Sequence, residues 1–289
     1  MKKEYLIWVL KGAAMGAADA VPGVSGGTIA LITGIYERFI GALASFKPSL
    51  WRFIAAKDFK GLWQAIDGAF LLSLGIGILL SLFSVLSLMS WLLHIAAPVV
   101  WAFFMGVIIV SLWQLCRARQ WQIADGFLLL IGLVIAIFLA TATETTVTIS
   151  PATLVLGGIL AISAMLLPGI SGSFMLVLLG IYPVVVDAVH DRDVAVVFWV
   201  GLGCLIGIIS FSRLLQWALS RWHQGVMSFM LGFVVGALVK VWPWQFAGQW
   251  LLPGNFEIAS GESAWLWMSL MSMLIGGVVV ALLYKRTVN

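Results

Sequence analysis

The chain has 289 residues, 62% of them hydrophobic, with only 16 Lys or Arg and 12 Asp or Glu and a net charge of +4. Mean hydropathy is +1.10, and apolar runs recur near the ~20 residues needed to cross about 30 Å of hydrocarbon, which excludes a soluble monomer and a separate soluble domain. The basic residues are scattered along the chain, as suits topology signals and contacts with phospholipid headgroups, and nucleic acid is excluded as a partner.

In chain order, Met1-Lys2-Lys3 leads into an apolar stretch that runs on past Gly16 and Asp19 without a good cleavage site, so it reads as mature protein rather than a signal peptide. Ten apolar segments follow from the polar breaks, roughly 5 to 20, 24 to 46, 67 to 93, 97 to 116, 124 to 142, 152 to 167, 170 to 189, 194 to 219, 226 to 243 and 264 to 284. The expected fold is an all-α polytopic membrane protein. Lys2, Lys3, Lys47, Arg52, Lys57, Lys60, Arg117, Arg119, Arg221, Lys285 and Arg286 fall in loops that alternate onto one face, which makes that face cytoplasmic and puts both termini inside. The opposite loops, around His94, 143 to 151, 187 to 193 and 244 to 263, contain Arg192 as their only basic residue, with Lys240 close to one of them. Residues 47 to 66 set Trp51, Phe53, Phe59 and Trp63 among four basic residues, the pattern of an amphipathic interfacial helix on anionic lipid, with a solvated loop as the alternative.

Cys116 and Cys204 lack a second Cys or clustered His nearby, and His94, His190 and His223 are isolated, so no disulfide, metal site or cofactor is expected.

The sequence repeats itself. Pro168-Gly169-Ile170-Ser171-Gly172-Ser173 restates Pro22-Gly23-Val24-Ser25-Gly26-Gly27, and Gly180-Ile181-Tyr182 restates Gly34-Ile35-Tyr36 at the same offset of 146. Over 20 to 36 against 166 to 182, seven of seventeen positions are identical. A weaker echo pairs Phe103 and Gly106 with Phe229 and Gly232 at a different offset. Two halves of five segments, 1 to 146 and 147 to 289, are therefore expected to form one integral-membrane domain. An odd number of crossings per half inverts the second half, and this holds if each opening pair is a re-entrant hairpin. Inverted repeats are a hallmark of transporters that alternate access to a central site.

Each Pro-Gly-x-Ser-Gly tip breaks the helical hydrogen-bond ladder between two apolar runs. Exposed to lipid, such a break is costly, so both tips are expected inside the protein or a watery cavity. Helices opening at Ser25-Gly26-Gly27-Thr28 and Ser171-Gly172-Ser173 would offer free amides, hydroxyls and a positive dipole end, which suit a phosphate. The alternative is a pair of broken helices whose small residues serve close packing.

Asp19-Ala20-Val21-Pro22-Gly23-Val24-Ser25-Gly26-Gly27-Thr28 with Gly34-Ile35-Tyr36-Glu37-Arg38, and Leu167-Pro168-Gly169-Ile170-Ser171-Gly172-Ser173 with Gly180-Ile181-Tyr182, resemble the PopT family of bacterial polyprenyl-phosphate translocases. The likeness spans nearly the whole chain and extends to Arg213-Leu214-Leu215 and Trp242-Pro243-Trp244. It implies return of undecaprenyl phosphate, the lipid carrier of cell-wall and surface-glycan synthesis, from the outer to the inner leaflet of the bacterial cytoplasmic membrane.

From the residues, the expected substrate-binding set is Ser25, Gly26, Gly27, Thr28, Ser171, Gly172 and Ser173, with Arg38 and Arg213 as cations for the phosphate. Asp19 and Glu37 are candidates for coupling to a proton or sodium ion. Each has a plainer reading: Asp19 as a helix cap, Glu37 and Arg38 as markers of the cytoplasmic interface, Arg213 as a snorkelling side chain. An anion channel would use the same helix ends. A lipid phosphatase would need a nucleophile and an acid-base partner, for which the scattered histidines and acids are poor material, so no enzyme is expected.

Overall fold

The computed structural model describes residues 2–19, 25–117, 119–142 and 147–288; the Pro22-Gly23-Val24 part of the first tip and residues 143–146 lie outside the described residues. The chain is a multi-pass bundle of α-helices. Among the described residues, three helices, Trp91–Arg117, Ile123–Thr141 and Val194–Ala237, are long and apolar enough to cross a membrane unaided, and three bent pairs reach that length only together, as broken spans or re-entrant loops.

The N-terminal part runs α1 (Lys2–Asp19), α2 (Gly26–Ile32), α3 (Tyr36–Ala44), α4 (Trp51–Ala55), α5 (Phe59–Ala65), α6 (Gly68–Arg117) and α7 (Ile123–Thr141). The C-terminal part runs α8 (Pro151–Leu166), α9 (Gly172–Leu178), α10 (Tyr182–His190), α11 (Val194–Ala237), a two-stranded antiparallel hairpin of β1 (Gln245–Phe246) and β2 (Gln249–Trp250), α12 (Pro253–Ser260) and α13 (Leu266–Val288). Segments expected as continuous over 24 to 46 and 170 to 189 are each two short helices, bent by 119° between α2 and α3 and by 111° between α9 and α10. The cause is glycine. Gly34 (φ 69°) and Gly180 (φ 67°) take the left-handed conformation that ends each first helix. The following amides reach back alike, Ile35 N–H to Ala30 O at 3.0 Å and Ile181 N–H to Leu176 O at 2.9 Å.

The single amphipathic helix expected over 47 to 66 is a 3₁₀ turn (Pro48–Leu50) followed by α4 and α5, parted at Lys57 (φ 53°). Trp51, Ile54, Phe59 and Trp63 remain exposed. The loop expected at 244 to 263 contains the hairpin and α12, around a small core of Trp244, Phe256 and Ala264.

Bounds match at two offsets. The α2–α3 and α9–α10 pairs coincide at 146, whereas α6 is interrupted at Ala96 (φ −149°, ψ 55°) and α11 at Trp222 (φ −134°, ψ 49°), 126 apart. The shift has a physical source in the α4–α5 stretch, which has no counterpart between α10 and α11. Phe103 and Gly106 echo Phe229 and Gly232 at this second offset.

Close glycine contacts repeat in the same way. In the α1–α6 contact, Gly12 lies on the Leu74 carbonyl and Gly77 on that of Val9; between α8 and α11, Gly158 lies on Val200 and Gly203 on Val155. Beyond the breaks, α6 packs on α13 through Gly106 against Met273 and Gly276 against Phe103, and α11 packs on α7 through Gly232 against Leu129 and Gly132 against Phe229. A Cβ at any of these eight would meet a backbone oxygen at 2.3 Å or less. Without a hydrophobic force between helices in lipid, such backbone approach is what holds them together.

Candidate functional site

The two tips meet. Thr28 is 2% exposed at the start of α2, and its Oγ1 accepts a hydrogen bond from the Gly169 N–H of the second tip at 2.9 Å. Tyr36, at the start of α3, donates its hydroxyl to the Leu166 carbonyl at 2.7 Å, satisfying one of the carbonyls freed where α8 ends. Gly169 (φ 94°) lies against the Phe233 carbonyl, so this position takes only glycine comfortably.

At the first tip the amides expected to be free are already paired. Gly26 N–H donates to Asp19 Oδ1 at 2.7 Å, Gly27 N–H to Ser25 Oγ at 3.2 Å, and Thr28 N–H to the Ser25 carbonyl at 2.9 Å. Ser25 is thus a true N-cap, in extended conformation (φ −124°, ψ 132°), and Asp19 puts a carboxylate on the positive end of α2. Residues Gly26 through Leu31 are buried.

The second tip differs. Ser171 precedes α9 in a similar extended conformation (φ −95°, ψ 135°) but its side chain caps no amide; it bonds instead to the Ser173 hydroxyl at 2.7 Å. None of the α9 residues is buried. At the repeat offset, Met165 stands where the first tip has Asp19. The Lys240 ammonium sits 4.6 Å from the Phe174 ring centre, at the first turn of α9, and forms no ion pair among the described residues. Sequence reasoning placed Lys240 beside an outer loop and did not connect it with the tip; its position next to an apolar stretch was the available signal.

Asp19, Ser25, Gly26, Gly27 and Thr28 therefore form one cluster, joined to the second tip through Gly169, with Ser171, Gly172 and Ser173 at the start of α9. The other candidates lie elsewhere. Arg38 donates to both Asp67 oxygens, at 2.6 and 3.0 Å, and lies over the Trp8 and Phe70 rings at 4.4 and 4.5 Å. Glu37 pairs with His223 at 2.8 Å on an exposed surface. Arg213 donates to the Phe46 carbonyl and ties the end of α3 to α11.

The bundle with its paired helix breaks is that of a multi-pass membrane protein of the transporter class, not an enzyme. A family model described as undecaprenyl phosphate translocase-like matches residues 15–258, and the chain belongs to this family. A polyprenyl-phosphate transporter of Vibrio cholerae is 37% identical, the match covering 98% of this chain and 97% of that protein. A polyprenyl-phosphate transporter of Staphylococcus aureus is 33% identical over 84% of this chain and 88% of that one. No solved structure matches the chain.

Proposed function

We propose that the chain carries undecaprenyl phosphate, or a closely related polyprenyl phosphate, from the outer to the inner leaflet of the bacterial cytoplasmic membrane. The observation that carries the reading is the hydrogen bond from Gly169 to Thr28, which joins two broken helical hairpins of like sequence inside the bundle. Transporters build central sites from such paired discontinuities, because they alone put free backbone groups at membrane depth.

In this reading residues 1 to 146 and 147 to 289 are inverted halves, both termini are cytoplasmic, and the matched α2–α3 and α9–α10 pairs are the moving hairpins. The phosphate lies first at the second tip, held by the Gly172 and Ser173 amides, the Ser171 and Ser173 hydroxyls and the Lys240 charge. At the first tip it meets Ser25, Gly26, Gly27 and Thr28 only when Asp19 leaves the Gly26 amide. Carboxylate and phosphate compete for one donor. Protonation of Asp19, or its capture of a sodium ion, would release the amide and couple the ion to the lipid. Arg38, Glu37 and Arg213 act as scaffold at their observed partners.

The test is reconstitution in vesicles with undecaprenyl phosphate, reading the fraction of lipid that an externally added phosphatase can reach. Protein-dependent exchange between leaflets, accelerated by a proton or sodium gradient, is the expected result. Anion conductance without lipid movement would replace this reading with that of a channel.

A further inference from the structure

A groove beside the second tip is unexplained by the headgroup chemistry. It encloses about 480 Å³ where α11 is interrupted at Trp222, and its walls include Leu128 of α7, Phe211, Ala218 and Phe229 of α11, and Leu167 at the end of α8. The Trp222 indole is the only lining side chain able to form a hydrogen bond of ordinary strength. Toward the bilayer, Leu214 and Trp222 at its edge are more than half exposed. At its inner end it runs onto the tip in two ways. Leu167 immediately precedes Pro168, and the Phe229 ring packs at 5.0 Å on Phe233, whose carbonyl backs Gly169.

The groove lies between α7 and the interruption of α11. Around the matching interruption of α6, Leu92 and Val99 stand where α11 has Ala218 and Gly225, and Leu92 packs into the main core. Ala218 and Gly225 therefore leave free the volume that a leucine and a valine occupy at the matching positions of α6.

We infer that this groove seats the first isoprene units of a polyprenyl phosphate, whose tail reaches the bilayer sideways past Leu214 and Trp222 while its phosphate lies at the second tip. The inference rests on the tips being the headgroup site. A phosphate drawn into the bundle must bring the attached carbons with it, and those carbons need an apolar path continuous with the lipid. This groove provides one that ends at the tip. Its aromatic walls, Phe211, Trp222 and Phe229, offer flat faces to the planar, methyl-branched alkene units of an isoprenoid, which a saturated acyl chain lacks.

The test fills the groove with the residues of the matching helix, in Ala218→Leu with Gly225→Val. A Cβ at position 225 would meet only the flexible end of Leu128, at 2.8 Å, which can move aside. Affinity is measured on purified protein for undecaprenyl phosphate and for dipalmitoyl phosphatidic acid, with thermal unfolding as the folding control. Filling is expected to weaken undecaprenyl phosphate by about tenfold or more, as loss of a few buried methylene contacts would, and to leave phosphatidic acid within about twofold. Ser171→Ala with Ser173→Ala, which touches only the headgroup site, is expected to weaken both lipids. An unchanged affinity for undecaprenyl phosphate in the folded groove variant overturns the groove inference and leaves the headgroup reading to the serine variant. Should filling unfold the protein, wild-type protein is labelled with a diazirine-bearing polyprenyl phosphate. Label on the peptide spanning 214 to 226 that excess phosphatidylglycerol does not displace supports the groove, and label elsewhere, or displaced label, overturns it. Absence of any polyprenyl phosphate binding by the wild type overturns both readings.

Discussion

The two tips carry nearly one sequence and differ in environment. The first is buried, its amides are consumed by Asp19 and Ser25, and it presents Thr28 to its partner. The second is open, its serines bond to each other, and it has Lys240 nearby in place of a carboxylate. Equal helix bounds with unequal burial are what a transporter with two trading halves requires in any single state. The inequality at Asp19 and Met165 goes further, because it is chemical and persists in every state. On the proposed function, the second tip would hold the phosphate and the first would release it under control of a carboxylate.

The strongest way to break that comparison is to close both tips. A Cβ at Gly172 would lie 2.8 Å from the Ala161 carbonyl oxygen, and one at Gly26 would lie 2.5 Å from Asp19 Oδ2. Gly26→Val and Gly172→Val are each expected to lower headgroup affinity by about a hundredfold, and the double variant by little more, because both act on one phosphate. Losses that add in free energy in folded protein would mean two separate sites.

Asp19→Asn is the next largest. Asparagine keeps an oxygen for the Gly26 N–H and loses the charge, so thermal stability should change little while transport falls about tenfold and ceases to respond to the ion gradient. Asp19→Ala removes the cap as well and should cost about 1 kcal/mol of stability. Normal gradient-driven transport by the Asn variant would leave Asp19 as a cap only.

Thr28→Val is an almost isosteric change that leaves the Gly169 N–H without its acceptor, at a cost of about 1 to 3 kcal/mol. It should loosen the joint between tips and shift hydrogen exchange at Gly169, whereas Thr28→Ser should restore both. The smallest effect is expected at Arg38→Ala. Its partner Asp67 is part-exposed, so the ion pair and ring contacts should be worth about 1 kcal/mol together, with transport within twofold of wild type. A large transport defect there would return Arg38 to the phosphate pathway. Topology is checked by cysteines at Thr148 and Asn255 in an otherwise cysteine-free chain, which should react from outside.

Segment positions and the matched tips were legible because apolar length and proline-glycine breaks are local signals. The ten segments correspond to helices, to bent pairs or to the two sides of the interrupted α6 and α11, and the 146-residue offset relates the bounds of α2 and α3 to those of α9 and α10. The chemistry at the tips was less legible. Free amides follow from a helix break taken alone, but whether Asp19 reaches the Gly26 amide depends on how the chain turns between them. Arg38 shows the same limit, since its engagement with Asp67 and two rings comes from packing of α3 against α1 and α6 that no periodicity encodes. The shift in offset was visible in Phe103 and Phe229, and it became interpretable once α4 and α5 were seen to lack a counterpart.

The exchange of last helices has a consequence for how the protein is made. Beyond its interruption, α6 packs on α13, and α7 packs on α11, so these two contacts cross between the halves. A ribosome releasing the first seven helices has delivered two whose glycine-lined faces have no mate until the later ones arrive, and α6 waits for the last of all. Those cross-half contacts can form only after α11 and α13 have entered the bilayer, and a chain cut between the halves should regain its structure only when both pieces are made in the same membrane.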